Sequence, residues 1–380
     1  METILQKNLW SITSFLENKE YKFDKDNILT QLPEKFIDEA IEAISGWDNY
    51  APTPLLKLNK LNNVLKLNNI YYKDEDKRFD LKSFKALGGA FAVYKIAHEK
   101  KDITVSTATA GNHGRSVAWG AQRLGLKCKI FISEFVSDSR AEAMRNLGAE
   151  VIKVKGNYDN SLKECIEQSN KNKWEIVQDV SWEGYKEVPK LIMAGYTIMV
   201  KEIVDEIDNN SITHVFLQAG VGGMAAAMIA GFAKLSKNIP QFIIVEPENA
   251  DCVFQSIKNN QPTTVDIKKE TVMGGMSCGD ISSIAWEILK NSANYCLTIP
   301  DEAISTVVAL LAESRLSDEK VIGGECAVPG VIALIGTFKN KEYLDKLKLN
   351  AESNVLLFGC EGLTDNAMYQ KLLSDGLQKI

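Results

Sequence analysis

Lys85 stands between Phe84 and the small-residue run Ala86-Leu87-Gly88-Gly89, with Ser83 just before the aromatic ring. An amine attacks a carbonyl only in its neutral form, and apolar surroundings disfavour the ammonium. This lysine is therefore placed for Schiff-base chemistry, where an isolated surface lysine would not be. A second group is Gly220-Val221-Gly222-Gly223-Met224, between the apolar run ending Leu217-Gln218 and the alanine-rich stretch Ala225–Leu235. Glycines at a strand-to-helix turn let backbone amides converge on a phosphate, and the helix N-terminus adds favourable partial charge. Close packing alone also uses glycine. No Lys-Ser/Thr pair follows, and no complete GxGxxG with a later acid, so ATP and dinucleotides fit poorly.

The third group is Thr107-Ala108-Thr109-Ala110-Gly111-Asn112-His113-Gly114. The backbone amides of this turn, with Ser83, Thr109, Ala110 and Gly111 around them, suit a carboxylate, and the Asn112 amide suits a hydroxyl. His113, at a helix start, reads as structural, with a catalytic or substrate-binding role as the alternative. Cys360, followed by Glu361-Gly362 after the last apolar run, is a weak thiol donor or a core cysteine.

The elements that carry these residues alternate. Expected strands at Asn69–Lys73, Ile103–Ser106, Lys129–Ser133, Glu150–Val154 and Trp174–Gln178 are separated by helices over 112–124, 138–147 and 159–170. Further strands are expected at Thr213–Leu217, Phe242–Val245 and Asn354–Phe358, with helices at Pro33–Gly46 and Lys57–Leu67. Short apolar strands alternating with helices of this length predict parallel α/β sheets. The lysine lies between two such series. This predicts a small α/β domain over residues 82–193, inserted into a large phosphate-binding domain formed by 1–81 and 194–380.

With 45% hydrophobic and 25% charged residues and a net charge of −6, the composition is that of a globular enzyme. Interspersed charge signs give no reason to expect a nucleic-acid or membrane partner. Without a basic segment leading into an apolar one at the start, a cytoplasmic location is expected. Seven scattered cysteines form no CxxC pair and the three histidines lie far apart, so no metal site is expected.

Together these groups, in this order, resemble the fold-type-II pyridoxal-phosphate (PLP) enzymes of the tryptophan-synthase-β and threonine-dehydratase kind. Within that group the chain is most similar to the diaminopropionate ammonia-lyases. Further segments carry the likeness: Arg78-Phe79, Gln178-Asp179 with Trp182-Glu183-Gly184-Tyr185, Met193-Ala194-Gly195-Tyr196, Gly323-Gly324-Glu325 and Cys360-Glu361-Gly362-Leu363-Thr364-Asp365. The resemblance implies two three-layer α/β domains and PLP joined to Lys85. Phe84, Asn112, Gly220, Val221, Gly222, Gly223, Met224, Gly275 and Cys360 would contact the cofactor, Cys360 at the pyridine nitrogen. It also implies a homodimer, an amino-acid substrate, Lys85 as the base at Cα, and Asp179 beside the substrate amine. The implied reaction is elimination from L-2,3-diaminopropionate, giving pyruvate and two ammonia molecules.

Two departures from the pattern matter. Ala110 stands where the ammonia-lyases usually carry an aspartate that serves D-substrate, so the D-isomer is not expected to react. In Glu246-Pro247-Glu248-Asn249-Ala250-Asp251-Cys252, which resembles the cation loop of related racemases and dehydratases, Cys252 takes an acidic ligand's place. Cys252 and Cys278 are candidates for a redox-sensitive pair. The alternatives are a serine/threonine dehydratase, a lyase for another β-substituted L-alanine, and a non-catalytic PLP-binding protein.

Overall fold

Runs of β-branched and aromatic residues bounded by small-residue turns become strands, and two sheets sort them. The computed structural model describes residues 9–109, 111–207 and 211–380. The strands are β1 (Ser14–Glu17), β2 (Leu55–Lys57), β3 (Asn69–Asp74), β4 (Thr104–Ala108), β5 (Lys127–Ser133), β6 (Glu150–Val154) and β7 (Glu175–Ile176), then β8 (His214–Gln218), β9 (Gln241–Pro247), β10 (Tyr295–Ile299) and β11 (Asn354–Gly359). The helices begin with α1 (Lys25–Gln31), α2 (Glu34–Ser45), α3 (Asn59–Leu65), α4 (Lys85–Glu99), α5 (Asn112–Arg123), α6 (Asp138–Arg145), α7 (Tyr158–Asn172) and α8 (Glu187–Tyr196). They continue with α9 (Ile198–Glu206), α10 (Gly223–Leu235), α11 (Cys252–Asn259), α12 (Ser283–Ser292), α13 (Ile304–Ala312), α14 (Pro329–Phe338), α15 (Lys341–Leu347) and α16 (Asn366–Leu377).

The chain divides into two compact units. One comprises Leu32–Ala51 and Arg78–Ile198 and carries Lys85; the other comprises the residues up to Gln31, Pro52–Lys77 and Met199–Ile380 and carries the glycine loop.

The lysine unit is built on a parallel sheet of order β6-β5-β4-β7. Ala108, Phe131 and Cys165 form its buried centre, with Ile152, Val154, Leu162 and Trp174 packed around them. Helix α4 packs against α5 and α8, and small residues set how closely. A Cβ on Gly88 would lie 2.4 Å from the Tyr196 ring, and one on Gly195 would lie 2.8 Å from Gly88 Cα. These helices meet backbone to backbone, which fixes the start of α4 and with it Lys85.

The other unit has a sheet of order β1-β10-β9-β8-β11-β3-β2. Its interior strands run parallel, while β1 and β2 join the edges antiparallel. Strands β8 and β11 are buried along their whole length, and α10 is buried from Gly223 to Ala233. Such continuous apolar runs are what a parallel sheet covered on both faces requires.

Two sequence expectations are corrected. The helix placed at Lys57–Leu67 starts at Asn59, because Leu55–Lys57 pairs with β3 as a strand; it stops where Lys66 turns left-handed, at φ 58°. The strand placed at Trp174–Gln178 is confined to Glu175–Ile176. Beyond it Val177, Gln178 and Asp179 leave the ladder and become available for other work.

Candidate active site

In the lysine unit, the backbone amide of Lys85 donates to Ser83 Oγ at 3.3 Å and that of Ala86 to the Ser83 carbonyl at 3.1 Å, so Ser83 opens α4. The Phe84 and Tyr196 rings meet at 4.7 Å. Lys85 Nζ lies 5.6 Å and 5.9 Å from their centroids, within cation–π range. The Lys85 ammonium forms an ion pair with Asp179 Oδ2. Burial works to raise the Asp179 pKa, but the charges of His113 and Lys85 outweigh it and hold the carboxyl well below the usual range. Asp179 is therefore a carboxylate at any working pH.

The segment that presents Asp179 is pinned by side chains in place of a sheet ladder. Gln178 Oε1 accepts from the Thr107 hydroxyl at 2.8 Å and from Ala108 N at 3.1 Å. Its Nε2 donates to Ala108 O at 2.9 Å and to the Tyr158 hydroxyl at 2.7 Å. The buried Gln178 amide thus extends the rungs of β4 one step further, just before the turn at Thr109. Tyr185 completes the clamp: its hydroxyl accepts from Gln178 N and donates to Ile176 O, both at 2.8 Å. Its ring stacks on Trp182 at 4.2 Å, and the two residues exchange backbone hydrogen bonds. The Trp182–Tyr185 segment is thus a buttress for Asp179.

The turn at Thr109 lies at the other end of the Gln178 clamp. Thr109 N donates to Phe131 O at 3.1 Å, and Gly111 N donates to Thr109 Oγ1 at 3.2 Å. Asn112 and His113 are the first residues of α5. His113 Nε2 lies 2.8 Å from Val177 O, and Nδ1 lies 3.7 Å from Asp179 Oδ2. Burial lowers the His113 pKa, with Lys85 adding to the effect and Asp179 and the Val177 hydrogen bond opposing it. Ala110 lies outside the described residues.

In the other unit, Gly220-Val221-Gly222 link β8 to α10, with Gly222 left-handed at φ 87°, a conformation that favours glycine. The turn is tightly backed. A Cβ on Gly220 would meet Cys278 Sγ at 3.0 Å and Gly275 O at 3.1 Å. Ser282 N donates to Val221 O at 2.9 Å, and the Cys252 thiol to Gly220 O at 3.5 Å. The first amides of α10, Gly223 and Met224 among them, have no acceptor within their own helix, and a glycine turn lets a ligand approach the backbone. These residues fit a phosphate ester, as PLP requires.

Gly275 and Cys360 belong to this same unit. A Cβ on Gly275 would lie 3.2 Å from Cys326 Sγ. The thiol of Cys360, just after β11, donates to Cys326 O at 3.1 Å. Gln218 Nε2 reaches the same carbonyl at 2.9 Å, and Glu361 Oε1 accepts from Cys326 N at 3.0 Å. Polar atoms of Glu325, Cys326 and Glu361 lie within 4.8 Å of one another. The loop that resembles a cation site is used differently: both oxygens of buried Glu246 accept from amides opening α11, Val253 N at 2.9 Å and Phe254 N at 2.7 Å. All seven cysteines, Cys252 and Cys278 included, are free thiols.

The comparisons fit this geometry. The family described as pyridoxal-phosphate dependent enzyme matches residues 47–358. The diaminopropionate ammonia-lyase of Escherichia coli K12 is 33% identical, over 95% of this chain and 96% of its own. That of Salmonella typhimurium LT2 is 35% identical, over 86% and 89%. The chain belongs to the diaminopropionate ammonia-lyase family. The crystal structure of the Escherichia coli ammonia-lyase with an aminoacrylate–PLP azomethine intermediate superposes with a TM-score of 0.88 at 32% identity, covering 97% of this chain and 99% of that one. The chain has a mixed α/β fold with parallel-rich sheets and, among the described residues, no helix long and apolar enough to cross a membrane.

Sequence reasoning did not single out Tyr196, which frames Lys85, or the Gln178–Tyr185 clamp as parts of the site. Their only signal was membership of the Gln178-Asp179, Trp182–Tyr185 and Met193–Tyr196 segments.

Proposed function

We propose that this chain eliminates ammonia from L-2,3-diaminopropionate, yielding pyruvate, with Lys85 as the lysine that joins PLP and as the base at Cα. The observation that carries the reading is the Lys85–Asp179 ion pair beside the Phe84 and Tyr196 rings. Asp179 already holds an alkylammonium in the free chain. Once Lys85 is engaged elsewhere, the carboxylate is available to the β-ammonium of the substrate. PLP supplies, when bound, the electron sink for the charge left at Cα when its proton departs.

The remaining work falls to the chain's own groups. Ser83, Thr109, the Gly111 amide and His113 would hold the substrate at the turn opening α5. Asn112 and Phe84 would contact the cofactor ring, and Gly220, Val221, Gly222, Gly223 and Met224, backed by Gly275, would hold its phosphate. Cys360 would face the ring nitrogen. A thiol that donates to a carbonyl leaves that nitrogen unprotonated, which suits elimination over transamination.

Asp179 also discriminates between leaving groups. An ionised carboxylate keeps the β-nitrogen protonated, ready to leave as neutral ammonia, but it has no proton to give a departing hydroxide. This favours diaminopropionate over serine or threonine. We further propose a cytoplasmic homodimer without nucleic-acid or membrane partners; the free thiols accord with a reducing compartment. The test is pyruvate release by PLP-loaded protein from L-2,3-diaminopropionate and L-serine. Faster turnover of the diamino acid supports the reading; faster turnover of serine replaces it with a dehydratase, and turnover of neither refutes both.

A further inference from the structure

His113 carries a lone pair that its surroundings leave exposed to one use. A carbonyl only accepts, so the 2.8 Å contact with Val177 O places the ring proton on Nε2 and leaves Nδ1 bare. The ring is 4% exposed, and Nδ1 has no hydrogen-bond partner. A buried polar atom without a partner is costly and calls for an explanation. Nδ1 lies 3.7 Å from Asp179 Oδ2, the oxygen that also holds the Lys85 ammonium. The charged groups facing the ring are Asp179, beyond β7, and Lys85, at the start of α4.

We propose that His113 Nδ1 accepts the proton that an ammonium held on Asp179 must lose before its nitrogen can attack a carbonyl. An N–H bond of the ammonium breaks, its electron pair stays on nitrogen, and the proton bonds to Nδ1. Asp179 itself is too acidic to take that proton. The imidazolium then pairs with Asp179 as the ammonium did, so the transfer strands no charge. In the free chain that ammonium is the one of Lys85. This role rests on Lys85 being the PLP lysine and adds the group that makes it nucleophilic.

His113→Gln tests it, because a glutamine amide can still donate to Val177 O but offers no basic lone pair. The readout is the rate at which apo-protein acquires the PLP–lysine absorbance after mixing, followed against pH. At neutral pH the variant should join PLP to Lys85 roughly 10²-fold more slowly, with a rate that keeps rising with pH where the wild type levels off. An unchanged rate and pH profile overturns the proposal. Borohydride reduction and peptide mass mapping separate the two readings: PLP fixed to a lysine other than Lys85 sinks the functional assignment before His113 is tested. If the variant does not fold, nitrogen NMR of histidine-labelled wild-type apo-protein decides. A bare Nδ1 at neutral pH supports the role, and a protonated Nδ1 overturns it.

Discussion

At the scale of single residues the account turns on which side chains hold charge. Asp179 is ionised because His113 and Lys85 outweigh its burial, so its worth lies in what it attracts. Asp179→Asn keeps the shape and removes the charge. Since a hydrogen bond to a charged group contributes roughly 1.5–3 kcal/mol, kcat/KM for diaminopropionate should fall by about 10–150-fold by the same estimate, while PLP still attaches to Lys85. Steady-state kinetics with a spectrum of the loaded variant checks both halves. Lys85→Ala should abolish turnover and the bound-PLP absorbance together; retained turnover would remove Lys85 from the chemistry. Ala110 bears on which isomer reacts. Ala110→Asp restores the residue the family usually carries there and should add turnover of the D-isomer while keeping that of the L-isomer, measured as pyruvate release. A variant still confined to the L-isomer would show that more than this one acid is missing.

At the scale of elements, the site depends on a strand that ends early. Had the Trp174–Gln178 strand formed as expected, Gln178 would sit in the ladder and Asp179 would be directed by sheet register. Instead the ladder stops at Ile176, and the Gln178 side chain and the Tyr185 hydroxyl hold the segment. Tyr185→Phe removes only the hydroxyl, leaving Gln178 N and Ile176 O without a partner. Leaving such buried groups unpaired costs about 1–3 kcal/mol, so the melting temperature should fall. Activity should fall further than the lost stability explains, because Asp179 loses its support. Equal activity in a folded Tyr185→Phe variant would show that Gln178 suffices.

Lys85, the glycine turn after β8 and the turn opening α5 could be picked out in the sequence because covalent and anion-binding chemistry would restrict residue type locally. The alternation of strands and helices was legible because buried parallel strands are continuous apolar runs. The clamp was not, since its hydrogen bonds join Thr107 and Ala108 to Gln178 across some seventy residues and leave no local periodicity. Nor was β10, whose Tyr295–Ile299 run is too short to separate from its helical flanks without its partner β9. Helix α2 was anticipated, but its place in the lysine unit rests on packing against α4 and α8, which no nearby residue announces.

At the scale of the whole molecule, buried titratable groups tie stability to pH. Asp74 closes β3, and burial raises its pKa to about 6; Asp76 and Glu75 add to this, while the Asp76 amide and Lys77 oppose it. An acid whose folded pKa lies above its unfolded one favours folding when neutral. That contribution is complete below the unfolded value and is lost as pH rises through about 6. Asp74→Asn should therefore stabilise the protein at pH near 8, by roughly 2–3 kcal/mol from the size of the shift, and confer little at pH near 4. Melting curves at the two pH values check the sign. His113 and His214 act oppositely. Burial lowers both, with Lys85 adding to the shift at His113, so their contribution is lost as the pH falls below the ordinary histidine range and the unfolded chain takes up the protons.

The most direct test of the central claim is pyruvate release by the PLP-loaded protein from the separate L- and D-isomers of 2,3-diaminopropionate. Lys85 acting on one face, with Ala110 unable to act on the other, predicts release from the L-isomer alone. Release from both isomers would contradict the reading of Ala110, and release from neither would contradict the ammonia-lyase assignment itself.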